Sequence, residues 1–173
     1  MVLYLPITHF MKTKSAAGAL LKTPPMSGWN YSPQAFQGVN VLVVSQDEAA
    51  HRTLRGLFDH TRWVLDHAST LKDAWLRLAE APSPVVLVDH HLPDGEWTDL
   101  VDAIAPTADC PRVIVITRKL DSDFYEAVLR RGGFDVIATP LKAAQLYPMV
   151  SEAWRQWKSG QALTAGHIAP AFA

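Results

Sequence analysis

A doubly wound α/β fold around a buried parallel sheet is what the sequence predicts, on three observations. Short apolar runs rich in β-branched residues recur along the chain: VNVLVV at 39–44, PVVLVD at 84–89, RVIVIT at 112–117 and FDVIAT at 134–139. Between them lie stretches whose apolar residues recur at helical spacing. The strand runs are nearly continuous in aliphatic residues rather than alternating, the pattern of parallel strands covered on both faces.

Each element can be justified in turn. After 39–44, DEAAHRTLRGLFDH places Ala50, Leu54, Leu57 and Phe58 on one helical face, with Asp47 as its N-cap. WVLDHA (63–68) is a second, weaker strand. Ser69 is then the expected N-cap of LKDAWLRLAEA, which sets Leu71, Trp75 and Leu78 on one face. The strand at 84–89 precedes a helix over roughly 96–105, and 112–117 precedes a helix from Asp121 to Arg131 closed by Gly132-Gly133. After 134–139 a last helix spans about 142–158, and Pro148 inside it should kink it or delay its start. Five strand–helix units of this size fit a flavodoxin-like (βα)5 sheet of strand order 2-1-3-4-5.

The 173 residues allow one such domain at 39–158, flanked by an extension at 1–38 and a tail at 159–173. The extension is dense in Pro, Ser and Gly, with a short helix expected near Phe10 to Leu21. The tail QALTAGHIAPAFA is too short for an output domain, so a single-domain protein is the expectation. With 16 basic and 17 acidic side chains the net charge is −1, and no basic stripe with interleaved aromatics marks a nucleic-acid surface. The lone Cys110 excludes an internal disulfide. Lys12 and Lys14 follow rather than precede the apolar N-terminal residues, unlike a signal peptide, and no apolar run reaches the ~18 residues of a membrane span. A cytoplasmic protein with no membrane partner is the expectation.

In a doubly wound sheet, chemistry gathers at the carboxyl ends of the strands. Those ends carry Ser45, Gln46 and Asp47; Asp89, His90 and His91; Thr117, Arg118 and Lys119; and Thr139 and Pro140. The pair His90 and His91 beside Asp89 invites a metal site, but neighbours leaving a strand should point in opposing directions, and His51, His60 and His67 supply no third ligand by spacing. No metal is therefore expected from the histidines. Neither G-x-G-x-x-G nor G-x-x-x-x-G-K-[ST] follows any strand.

Asp89 after VVLV, the following Leu92-Pro93-Asp94-Gly95, Thr117 after VIVI, and GGFDVIATP closing the fifth strand resemble, in order and spacing, the receiver domain of bacterial two-component response regulators. The resemblance covers roughly Val39 to Lys158. It implies that Asp89 stands at the phosphoacceptor position, Thr117 at the switch hydroxyl, and Pro140 at the proline often preceded by a cis bond. His91, Arg118 and Pro140 would line the pocket, where His91 would tune phosphoryl lifetime or make a pH-responsive contact to Asp89.

The chain departs from that pattern at several of its functional positions. Ser45 and Gln46 stand where the family has an acidic pair for Mg²⁺, and Thr139 stands where it has a lysine. Asp47 is the one acidic substitute at hand, so a Mg²⁺ ion would have to rely on Asp47 and Asp89. Arg118 replaces a small residue. Two readings of it stand: a guanidinium folded over the site in an ion pair with Asp89, or a solvated side chain. Trp97 replaces a glycine, and Val136 replaces the aromatic switch of the fifth strand.

The resulting expectation is a degenerate pseudo-receiver of a phosphorelay: a signalling protein that is not an enzyme, needs no cofactor and works by protein–protein contact. Its partner would be a sensor kinase or a downstream signalling protein, docked on the face from Phe124 to Trp157 with Tyr125, Tyr147 and Trp154 as anchors. A homodimer through that face is the other form of the same expectation. Two rivals stand beside it: a working receiver phosphorylated on Asp89, and a small-ligand-binding or enzymatic flavodoxin-like domain using Asp89 and His91 as acid and base.

Overall fold

The computed structural model describes residues 39–107 and 109–165, with side chains described to residue 161. The helix expected near Phe10 to Leu21 lies outside the described residues. The elements run β1 (Val39–Val44), α1 (Glu48–Phe58), β2 (Trp63–Ala68), α2 (Leu71–Glu80), β3 (Val85–Asp89), the short β4 (His91–Leu92) and β5 (Gly95–Glu96), α3 (Trp97–Ile104), β6 (Arg112–Thr117), α4 (Ser122–Arg131), β7 (Asp135–Ala138) and α5 (Ala143–Ala165).

Five strands form one parallel sheet in the order β2-β1-β3-β6-β7, while β4 and β5 pair separately as an antiparallel hairpin. Counting main-sheet strands alone, this is the order 2-1-3-4-5. The aliphatic runs divide by side-chain parity between two cores. Leu42, Val44, Val86, Val88, Val113 and Val115 face a cluster with Leu71, Trp75, Leu78, Leu100 and Val128 from α2, α3 and α4. Val41, Val43, Val85, Leu87, Ile114 and Ile116 face the other, with Leu54 and Phe58 of α1 and Leu146, Val150 and Ala153 of α5. Both faces of the sheet are thus apolar, which is why alternation is missing from the sequence.

Helix ends differ from expectation where two capping residues compete. Thr70, not Ser69, caps α2: its side chain accepts from the Asp73 N–H, and Asp94 of the β4–β5 turn accepts from Leu71 N–H (2.8 Å) and Lys72 N–H (3.0 Å). Asp47 caps α1 as expected, accepting from Ala49 N–H at 2.8 Å. Asp121 caps α4, and Gly132 closes it in the left-handed conformation (φ 98°), open to glycine at little cost.

The last helix begins at Ala143 ahead of Pro148, so the proline does not delay its start, and it continues past the expected end at 158 to Ala165. Its extra turns are held by the loop before β6: the Trp157 indole N–H donates to the Asp109 carbonyl (3.2 Å) and the Gln161 amide donates to the Asp109 carboxylate. No helix among the described residues is long and apolar enough to cross a membrane.

A Cβ at Gly133 would lie 2.4 Å from Val128 Cγ1 and 3.0 Å from its carbonyl oxygen, whereas one at Gly56 in α1 would meet nothing within 4 Å. Gly133→Ala should therefore lower stability in urea unfolding, while Gly56→Ala should raise it by about 0.5–1 kcal/mol. Leu146→Ala, which empties a fully buried position, should cost about 2–5 kcal/mol in the same measurement.

Candidate functional site

β1 and β3 are neighbours in parallel register, with Val44 opposite Val88. The residues that follow them, Ser45 and Asp89, meet at the carboxyl end of the sheet. The Ser45 hydroxyl donates to Asp89 Oδ2. Ser45 is fully buried and every polar atom it has is used. Its N–H donates to the Ala68 carbonyl (2.9 Å), its Oγ accepts from the Asp47 N–H (3.0 Å), and its carbonyl lies 2.7 Å from His51 Nε2. The serine that stands where an acidic residue was expected is the hub of the site.

Asp89 is half-buried, and burial is the largest influence on it, pushing its carboxyl pKa above the usual carboxylate value. The Ser45 hydroxyl opposes that shift, the charge of Asp47 adds to it, and His51 and Arg118 offset it in part. Asp47 is thus near enough to be felt by Asp89, while its Oδ1 is engaged as the cap of α1.

Asp89 opens onto a cleft of about 510 Å³ walled by Gln46, Asp47, Thr117, Arg118 and Thr139 among others. Gln46, Asp47, Asp89, Thr117, Arg118, Thr139 and His91 all line this cleft. Pro140 does not: it is exposed and absent from the wall, although its bond from Thr139 is cis.

One open reading is decided, and two further expectations are corrected. Arg118 is exposed and forms no ion pair with Asp89, so it is the solvated reading that holds; the guanidinium acts on Asp89 only as the weakest of the charges around it. His90 and His91 do not diverge. The chain leaves the sheet after Asp89, with His90 N–H donating to the Ile116 carbonyl (3.0 Å), and turns into β4, so the two rings stack with centroids 4.0 Å apart. His91 Nδ1 lies 3.4 Å from Glu96 rather than at Asp89.

The other correction is Tyr147. Its hydroxyl donates to the Leu57 carbonyl, and its ring packs against Phe58 and Trp63, so it joins α5 to α1 and β2 and is no docking anchor. Trp154 also packs toward that core, with the Lys158 ammonium 5.1 Å from its ring centre. Tyr125 does remain exposed on α4, in company with Leu120 and Leu129 that sequence reasoning did not single out. Their i, i+4 spacing from Tyr125 to Leu129 was the available signal.

Thr117 is nearly buried, and its hydroxyl donates to the Lys119 carbonyl (2.9 Å) rather than to Asp89. Thr139 donates its N–H to the Thr117 carbonyl (2.9 Å), holding the ends of β6 and β7 together. His90 also meets the Phe124 ring at a tilt (4.5 Å between centroids), Phe124 is itself edge-on to the buried Trp97 (6.3 Å), and burial lowers the His90 pKa from the usual imidazole value.

A magnesium ion takes hard oxygen donors, carboxylates foremost, in an octahedral shell. Here one Asp89 oxygen holds the Ser45 hydroxyl, Asp47 is turned to its helix, and among the described residues no three His, Cys, Asp or Glu side chains gather as ligands. The carboxylates that would hold the ion are Asp47 and Asp89, both on the wall of the cleft.

Residues 41–151 match the family described as response regulator receiver domain. The chain belongs to that family. Of curated proteins, it is similar to the KDP operon transcriptional regulatory protein KdpE of Escherichia coli (strain K12), with 26% identity over 117 residues, covering 68% of this chain and 52% of that protein. The receiver-family chain thus spans about half the length of that relative. Among solved structures, the signal receiver domain of a putative Luxo repressor protein from Vibrio parahaemolyticus superposes with a TM-score of 0.68 at 20% identity, covering 73% of this chain and 97% of that one. A signal receiver domain of an HD domain-containing protein from Pseudomonas fluorescens Pf-5 gives 0.67 at 19% identity, covering 77% and 98%. Its fold is that of these receivers.

Because Asp89 takes up its proton more readily folded than unfolded, the folded state gains stability as pH falls through the Asp89 pKa and loses it as pH rises. Asp89→Asn should therefore flatten the pH dependence of urea stability between about pH 4 and neutrality, with the variant gaining on the parent toward pH 7. Ser45→Ala removes the hydroxyl that lowers the Asp89 pKa and should move the carboxyl titration, followed by carbon NMR, to still higher pH.

Proposed function

We propose that this receiver works as a signalling module by docking a protein partner, without Mg²⁺-dependent phosphorylation of Asp89. One observation carries the reading: the Ser45 hydroxyl, not a second carboxylate, is what contacts Asp89. Phosphoryl transfer to a carboxylate needs positive charge to gather three phosphoryl oxygens and the acceptor, and it is catalysed almost wholly by positioning and electrostatics. At this site the acidic pair is Ser45 and Gln46, and the lysine position is Thr139. Arg118 is exposed and unpaired with the acceptor, so it does not restore the lost charge.

The partner surface follows from what is left open. On α4 and the loop before it, Leu120 (48%), Tyr125 (38%) and Leu129 (42%) are large apolar side chains that remain exposed. Tyr125 and Leu129 fall at the start of the face from Phe124 to Trp157, with Leu120 just before it, where a sensor kinase, a downstream signalling protein or a second copy of the chain would dock. Tyr125 is its aromatic anchor. A cytoplasmic setting accords with a single, free Cys110.

A second reading keeps the phosphoryl chemistry, and one observation favours it: Asp89 lines an open cleft together with Asp47 and Thr117. Incubation with acetyl phosphate and Mg²⁺, followed by intact-mass measurement, separates the two. The parent protein should gain no phosphoryl mass. The triple variant Ser45→Asp, Gln46→Asp, Thr139→Lys should gain it, and lose it again when Asp89→Asn is added. Magnesium-dependent labelling of the parent at Asp89 would sink the reading.

A further inference from the structure

A sheet edge is a row of unpaired backbone groups that invites another strand. Here β2 and β7 are the two edges. β2 is the more inviting, because it runs Trp63-Val64-Leu65 with Val64 exposed at 56%. Ser45 N–H donates to the Ala68 carbonyl (2.9 Å), so Ala68 turns its backbone groups toward β1. By the two-residue period of a strand Asp66 and Val64 do the same, and the N–H groups of Trp63, Leu65 and His67 point away from the sheet. On β7, Thr139 N–H donates to the Thr117 carbonyl (2.9 Å), which leaves the N–H groups of Val136 and Ala138 outward.

Trp63, His67 and Val136 have their outward amides engaged already, each by a nearby side chain. Trp63 N–H donates to Thr61 Oγ1 (3.1 Å), His67 N–H to Asp66 Oδ1 (2.8 Å) and Val136 N–H to Asp135 Oδ1 (2.8 Å). Asp66 is itself held. Arg77 Nη1 of α2 donates to the same Oδ1 (2.5 Å), and Arg77 Nε donates to both oxygens of Asp73 (3.2 Å each). α2 thus fixes a carboxylate against the outer side of the strand it follows. Leu65 N–H and Ala138 N–H are left, one on each edge, with no bond on the outer side among the described residues. An added strand draws on donors at alternate residues, and neither edge offers two in succession.

We infer that Thr61, Asp66 and Asp135 close both edges of the sheet to strand addition, with Arg77 as the positioning residue for Asp66. The partner class this excludes is an extended segment, from this chain or another, that would lengthen the sheet. What remains is side-chain contact with the helices. That last consequence alone rests on the proposed function: on the face from Phe124 to Trp157, a partner meets side chains of α4 and α5 and not the backbone of β7.

The test is amide hydrogen exchange by NMR on the full-length chain. After correction for intrinsic rates, Trp63, His67 and Val136 should exchange about fivefold more slowly than Leu65 and Ala138, the factor given by one hydrogen bond of ordinary net strength. Asp66→Val should bring His67 to the Leu65 rate, whereas Asp66→Asn, which keeps an acceptor oxygen, should not. Arg77→Gln should speed exchange at His67 and leave Val136 unchanged. The triple variant Thr61→Val, Asp66→Val, Asp135→Val should form thioflavin-positive assemblies. Asp102→Asn, which breaks the ion pair with Arg131 and frees no edge amide, is the control for lost stability and should stay dispersed.

Equal protection of Leu65 and His67 shows the edge already covered by another strand and overturns the inference. Unchanged His67 exchange in Asp66→Val does the same, as does assembly of Asp66→Asn to the extent of the triple variant, which assigns the protection to charge. None of these readouts depends on phosphoryl mass at Asp89, so this inference and the proposed function fail separately.

Discussion

Parallel pairing of β1 with β3 places two residues from distant parts of the chain, Ser45 and Asp89, in contact at the end of the sheet. A carboxyl group half withdrawn from water must find partners or give up its charge. Ser45 supplies one partner, and is itself held from four directions by Ala68, Asp47, His51 and Asp89. A fully buried serine with every polar atom bonded carries little desolvation penalty. One serine, through its hydroxyl and its backbone, thereby connects β1, β2, β3 and the start of α1.

Around that centre the two faces of the sheet are built differently. On one face, Tyr147, Trp63 and Phe58 lock α5 against α1 and β2 with ring contacts of 5.1 to 6.3 Å, and α5 is tied again by Trp157 and Gln161 to Asp109. On the other, α4 contributes one fully buried side chain, Val128, and leaves Tyr125 and Leu129 in solvent. The helix with fewer buried apolar residues is the one with more freedom to respond, since local stability follows local burial. The domain is thus firm along α1 and α5 and lightly held along α4.

The fold was legible because its strands are covered on both sides: aliphatic runs such as VVLV and VIVI have no other economical place in a chain of this size. Boundaries slipped where two residues offer the same chemistry, as with Ser69 and Thr70, either of which can cap. The positions at the strand ends were legible too, because topology alone puts them there. Side-chain directions beyond those ends were not. His90 and His91 were expected to diverge as strand neighbours do, but the chain has already left the sheet at His90, and backbone geometry rather than residue type stacks them. Arg118 has a long, flexible stem, so its sequence position left two outcomes open. Tyr147 was assigned to a surface because helix spacing says which residues share a face but not which neighbour that face meets.

Replacing an acidic pair with Ser45 and Gln46 alters the balance of the site more than its shape. Carboxylates crowded at a strand end repel one another; here a neutral hydroxyl donor lies against Asp89, and the charge of Asp47 is felt more weakly beyond it. A ligand or partner shifts a population of conformations only by its differential affinity for them. The β6–α4 loop is where such a difference is cheap. Its ties are the Thr117 hydroxyl to the Lys119 carbonyl and the Asp121 cap on Phe124, each worth about 1 kcal/mol. A contact of ~1.4 kcal/mol changes a population tenfold, which is of the same order as the ties that hold this loop. The sheet beneath it, closed on both faces, has no reason to move.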